Sequence, residues 1–178
     1  MEPTRDILIV DDDRQVREVL HQIFLTAGYN CRLAQDGREG VALFRAARPP
    51  LTVTDLKMPV MTGIELLQQV REVDADAAVI VLTGAADVKT AIESLKLGAY
   101  DFIMKPVNVD ELLIAADRAL ERRQLLLERR QYHAMLESRV EQATHHLAAA
   151  YRELESTYRS TLEALGSALD TQIGRAHV

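Results

Sequence analysis

Four short apolar runs in this chain each end in a group able to bind a metal or a phosphate, and that repetition constrains the fold more than any other feature. Ile7-Leu8-Ile9-Val10 runs into Asp11-Asp12-Asp13, and Leu51-Thr52-Val53-Thr54 into Asp55. Residues 78–82 run into Thr83-Gly84, and residues 100–104 into Lys105-Pro106. Runs of this length and β-branched content read as strands buried on both faces. Residues 31–34 supply one more strand. Between the strands lie stretches of helical spacing: 14–27 before Gly28, 38–47 before Pro49-Pro50, 64–73, and 87–97 before Gly98. A further helix starts at Asp110. Glycine and proline stop helices because one accepts left-handed backbone and the other cannot continue the hydrogen-bond ladder.

Five strands alternating with five helices predict an α/β fold, a doubly wound five-stranded parallel sheet with helices on both faces and right-handed crossovers. Residues 78–82 are the most apolar strand and read as the central one. In such sheets ligands bind beyond the carboxyl ends of the strands. The polar residues named above all sit there.

Clustered carboxylates repel one another and call for a hard cation. Mg2+ takes oxygen ligands and keeps several waters. Next to such an ion an aspartate can attack phosphorus and become an acyl phosphate. A lysine ammonium can pair with one phosphoryl oxygen, and a threonine hydroxyl can donate to another once transfer has occurred. Taken singly, each residue has a plainer explanation. Asp13 reads as the N-cap of the helix that follows. Thr83-Gly84 alone reads as a turn, and Lys105-Pro106 as a strand terminator. Together, four strand ends delivering this chemistry to one edge define a site.

Residues 5–120 resemble a CheY-like receiver domain of bacterial two-component response regulators, with a flavodoxin-like fold. The stretches that carry the likeness are residues 7–13, Thr54-Asp55-Leu56-Lys57-Met58-Pro59, Val81-Leu82-Thr83-Gly84, and residues 98–106. The resemblance implies that Asp55 is the phospho-acceptor. It implies that Asp12 and Asp55 bind Mg2+ directly, with Asp11 in the outer shell and the Lys57 backbone carbonyl as a further ligand. It makes Lys105 the phosphate-pairing lysine, Thr83 the hydroxyl switch residue and Phe102 the aromatic switch. The implied partner is a cognate histidine kinase. Two positions depart from the family pattern: Val60 stands where glycine is common, and Thr62 where aspartate is common. Altered loop dynamics are expected there.

From Asp110 to about Asp170 the chain holds no proline and a single glycine, Gly166, and is rich in good helix formers. Its apolar stripe runs Leu136, Val140, Ala143, Leu147, Tyr151, Leu154, Tyr158, Leu162, Leu165, Leu169, with spacings of 4, 3 and 4. Such an 11-residue repeat predicts a nearly straight or slightly right-handed coiled coil. A stripe longer than a small domain needs a partner to cover it, so a parallel homodimer through this helix is expected. The domain reading is therefore a receiver over 5–120, a coiled-coil connector over 121–170, and a tail over 171–178 that opens an absent output domain. Residues 125–170 resemble the connector of HD-GYP response regulators, the cyclic-di-GMP phosphodiesterase class. His177 falls near that domain's first histidine, but its His-Asp pair and Gly-Tyr-Pro stretch are missing. No output hydrolase activity is expected of this chain, and it is not read as an enzyme. The adjacent His145 and His146 point about 100° apart on a helix and read as a solvated face.

Charge and cysteine content narrow the alternatives. The net charge of −6 falls entirely within residues 1–120, and residues 121–178 balance 8 basic against 8 acidic residues. No basic patch forms, so direct nucleic-acid binding is not expected. Cys31 is the one cysteine, and neither a signal-peptide pattern nor a membrane-length apolar run occurs. A cytoplasmic protein without membrane insertion is expected. Two rival functions are a haloacid-dehalogenase-like phosphatase and a non-phosphorylated dimerising adaptor. The first needs its nucleophile on the first strand in Asp-x-Asp-x-Thr/Val, which Gln15 breaks. The second leaves the acidic set without purpose.

Overall fold

The computed structural model describes residues 5–175. It divides into two units, Met1–Glu128 and Arg129–Val178.

The first unit holds five parallel strands, β1 (Asp6–Val10), β2 (Asn30–Ala34), β3 (Leu51–Asp55), β4 (Ala78–Thr83) and β5 (Asp101–Met104), in the order β2-β1-β3-β4-β5. The doubly wound sheet expected from the sequence is present. One detail differs: the central strand is β3, flanked by β1 and β4, whereas β4 lies one place nearer the edge. All five residues of β3 are buried, as are all six of β4, so apolarity cannot rank two interior strands. Thr52 and Thr54 made β3 look less central than it is.

Alternate residues of each strand feed opposite cores, which is why the runs are apolar throughout rather than alternating. Ile7 and Ile9 join Leu51, Val53, Ile80 and Leu82 in one core, closed by Leu20 and Phe24 of α1 (Arg14–Thr26). Leu112, Ala116 and Ala119 of α5 (Val109–Arg175) complete it. On the other face Leu8, Val10, Val79 and Val81 meet Phe44 of α2 (Gly37–Ala47) and Leu66, Leu67 and Val70 of α3 (Gly63–Val73). The α4 helix (Val88–Lys96) follows a short 3₁₀ turn, Ala85–Asp87, rather than starting directly at Asp87.

Within the first unit α5 is fastened at separate places. Tyr29 donates its hydroxyl to Asp117. Arg123 donates two hydrogen bonds to Asp74 Oδ2, at 3.0 and 2.8 Å. The Arg122 guanidinium lies 5.8 Å from the Tyr100 ring centroid.

The second unit is helical through Arg175. Its stripe faces solvent in the single chain: Val140, Leu147, Tyr151 and Leu154 are 65–70% exposed. The side chain of Leu169 and the residues 176–178, His177 among them, lie outside the described residues. Among the described residues no helix is long and apolar enough to cross a membrane.

Candidate functional site

The sheet changes direction between β1 and β3: the chain leaves β1 toward β2 on one side and returns to β3 on the other. Crossovers diverge at this point and leave a crevice at the strand ends. Asp11 follows β1 and Asp55 ends β3, so the two acids flank that crevice. Lys105, just past β5, reaches between them. Its ammonium lies 2.9 Å from Asp11 Oδ2 and 2.5 Å from Asp55 Oδ1.

Asp11 is 1% exposed and Asp55 7%. Burial raises the Asp11 pKa, an effect opposed by the Lys105 hydrogen bond and the Asp13 N–H, and reinforced by the charge of Asp55. For Lys105 burial favours the neutral amine, but the paired carboxylates outweigh it and hold its pKa above the usual value. Both shifts describe one situation: two buried acids share one cation, leaving a surplus negative charge.

Backbone and side-chain donors complete the pocket. Asp55 Oδ2 accepts from the Lys57 N–H at 2.8 Å, and Asp11 Oδ1 from the Asp13 N–H at 2.9 Å. The Arg17 guanidinium donates to the Asp11 carbonyl at 2.6 Å. Asp13 caps α1, accepting from the Gln15 N–H at 2.7 Å, as its position before a helix suggested. Asp12 is exposed, and among the described residues no group of three or more His, Cys, Asp or Glu gathers to hold a metal. Thr83 is buried at the end of β4, its hydroxyl donating to the Gly84 carbonyl at 3.2 Å. Phe102 is half-buried and packs against the α2–α3 core.

The donor chemistry suits Mg2+. Asp11 and Asp55 offer carboxylate oxygens in a crevice whose charge Lys105 only half offsets, and a hard cation prefers such ligands. Asp12 directly follows Asp11, and Lys57 stands two residues after Asp55.

Several features were not read from the sequence. Arg17 sits one turn into α1, a spacing that could have marked it. The Lys57 side chain pairs with Asp87 at 2.7 Å. Gly63 lies so close to β3 that a Cβ there would fall 2.2 Å from the Asp55 carbonyl oxygen. Val60 has φ +71°, in the left-handed region. A β-branched side chain is strained there, which explains why glycine suits the position.

Replacing Val60 by glycine is expected to stabilise the protein by about 1 kcal/mol, because relief of strain exceeds the added freedom of the unfolded chain. The side chain is 67% exposed and little packing is lost. The urea midpoint should rise; a fall would show that the loop carries no strain.

Comparison with known proteins bears on this geometry. The family model of the response regulator receiver domain matches residues 7–117, and the chain belongs to that family. It is 38% identical over 130 residues to the regulatory protein AtoC of Escherichia coli, covering 73% of this chain and 28% of that protein. It is 44% identical over 117 residues to the response regulator MprA of Mycolicibacterium vanbaalenii, covering 66% of this chain and 50% of that protein. The crystal structure of a response regulator receiver domain protein from Clostridium thermocellum superposes with a TM-score of 0.67 at 31% identity, covering 68% of this chain and 98% of that one. The chain thus spans between about a quarter and a half of these two curated relatives.

Proposed function

We propose that this receiver takes a phosphoryl group from a histidine kinase onto Asp55 and passes the change to a parallel homodimer formed through α5. The convergence of Asp11, Asp55 and Lys105 at the β1–β3 crevice carries this reading.

The Asp55 carboxylate attacks phosphorus in line. The bond from phosphorus to the donor imidazole nitrogen breaks, its electron pair stays on that nitrogen, and an acyl phosphate forms. Asp12, Asp55 and the Lys57 carbonyl would hold Mg2+, with Asp11 behind them, and the bound ion would supply neutralising charge for the phosphoryl oxygens. Lys105 exchanges its contact with Asp55 Oδ1 for a phosphoryl oxygen. The Thr83 hydroxyl leaves the Gly84 carbonyl to donate to another. Withdrawal of Thr83 opens space beside β5, and Phe102 turns inward to fill it.

The dimer reading rests on the 11-residue stripe. In a parallel pair the same apolar residues meet at each level, and the two receivers lie at one end. The domain limits of 5–120, 121–170 and 171–178 belong to this same proposal. A cyclic-di-GMP phosphodiesterase output rests on the resemblance of residues 125–170 alone; the relatives named above, a regulatory protein and a response regulator, lend it no support. The chain itself is read as a phosphorylated regulator, not a turnover enzyme.

Incubation with a small acyl phosphate and Mg2+ should place one phosphoryl group on the peptide containing Asp55, found by trapping and mass spectrometry. Sedimentation of the same sample should give a dimer. An adduct on Asp11 would instead favour the haloacid-dehalogenase-like phosphatase, and no adduct at all the adaptor. A monomer at high concentration, with and without phosphate, would remove the coiled-coil part.

A further inference from the structure

One ion pair straps the loop after β3 to the segment after β4. The Lys57 ammonium lies 2.7 Å from Asp87 Oδ1, with the lysine 72% and the aspartate 20% exposed. The Lys57 backbone N–H meanwhile donates to Asp55 Oδ2. The residue therefore touches the acceptor through its backbone while its charge is held by another loop.

Asp87 stands where an aspartate normally caps a helix, directly before Val88. Its carboxylate makes no hydrogen bond to the first turn of α4. An N-cap aspartate ordinarily accepts from the second or third helical N–H. Here it is engaged by Lys57 instead. Its backbone N–H donates to the Gly84 carbonyl at 3.0 Å, and that same carbonyl accepts the Thr83 hydroxyl. Asp87, Gly84 and Thr83 thus form one hydrogen-bonded segment, and Lys57 anchors its far end.

We propose that Asp87 is a positioning residue that, through Lys57, holds the Thr83–Asp87 segment in the arrangement belonging to unphosphorylated Asp55. This rests on Asp55 being the acceptor. A phosphoryl group adds negative charge two residues from Lys57 and competes for its ammonium. Once Lys57 turns, Asp87 is free to cap α4 and Thr83 is free to move. Switching then exchanges one ion pair for another, and its direction is set by the phosphoryl charge. An exposed pair of this kind shifts such an equilibrium by at most about fivefold.

The test uses the full chain, metal-free and unphosphorylated, observed by amide NMR. Asp87→Asn should move the Gly84 and Ala86 resonances toward their positions in the parent bound to Mg2+ and beryllium trifluoride, a phosphoryl mimic. The population shift should be about two- to fivefold. Lys57→Gln should give the same movement, and the double variant no more than either single one. Unchanged resonances in both single variants, or effects that add in the double, overturn the proposal while leaving the acceptor reading intact. An Asp55→Asn protein that responds to beryllium trifluoride as the parent does overturns the acceptor reading and the proposal with it.

Discussion

Lys105→Met is expected to lower the stability of the metal-free protein at neutral pH by about 2 kcal/mol. Removing one partner from a buried ion pair leaves an uncompensated charge and costs about 3–5 kcal/mol in fully buried cases. Lys105 is 29% exposed, so part of that cost is screened. The substitution leaves Asp11 and Asp55 facing each other without their shared cation. Its pH dependence identifies the cause. The Asp11 pKa is already raised by burial, and losing the Lys105 hydrogen bond and charge raises it further. The folded variant then takes up a proton at higher pH than its unfolded chain. Stability must therefore rise as pH falls from that raised pKa toward the ordinary carboxylate range. Added Mg2+ should restore part of the loss at neutral pH, because a ligand of the folded state alone stabilises it. Urea titrations across pH, with chelator and with Mg2+, measure all three effects. A deficit that neither acid nor Mg2+ reduces would mean that lost packing, not charge, is responsible.

Gly63→Ala is expected to cost about 3 kcal/mol, the upper end of the overpacking range. The added methyl would sit 2.2 Å from the Asp55 carbonyl oxygen and 3.1 Å from the Leu56 Cα, both backbone atoms. No rotamer change can relieve such a contact. Either α3 withdraws from β3 or β3 bends, and the Gly63 N–H also loses its 3.0 Å hydrogen bond to the Leu56 carbonyl. Both routes displace Asp55, so phosphate uptake should fall together with the urea midpoint. A variant of parental stability would show that the loop yields more easily than the geometry implies.

The contrast between these two sites explains what the sequence revealed. The approach of Asp11, Asp55 and Lys105 to one another was legible because each stands at the end of a strand, and a parallel sheet brings strand ends together whatever the loops do. Asp13 was legible as a cap because that role is local. The central position of β3 was not, since hydrophobicity reports burial but not strand order. Lys57–Asp87 was hidden for a different reason. It joins residues from two loops, and nothing periodic fixes the distance between loops. Val60 and Gly63 depend on backbone approach, which one sequence expresses only as a choice of small or strained residues.

The attachments of α5 carry a consequence for chimaeras. Asp117 and Arg123 lie six positions apart on one helix and engage partners at different places, Tyr29 and Asp74. A rod bolted twice along its length cannot spin freely in its socket. Within the first unit the opening turns of α5, through Arg123, accordingly keep one angular setting against the sheet. Adding or deleting one helical residue after Arg123 turns a grafted helix by about 100°, whereas seven residues nearly restore it. Function in a fused series should oscillate with linker length.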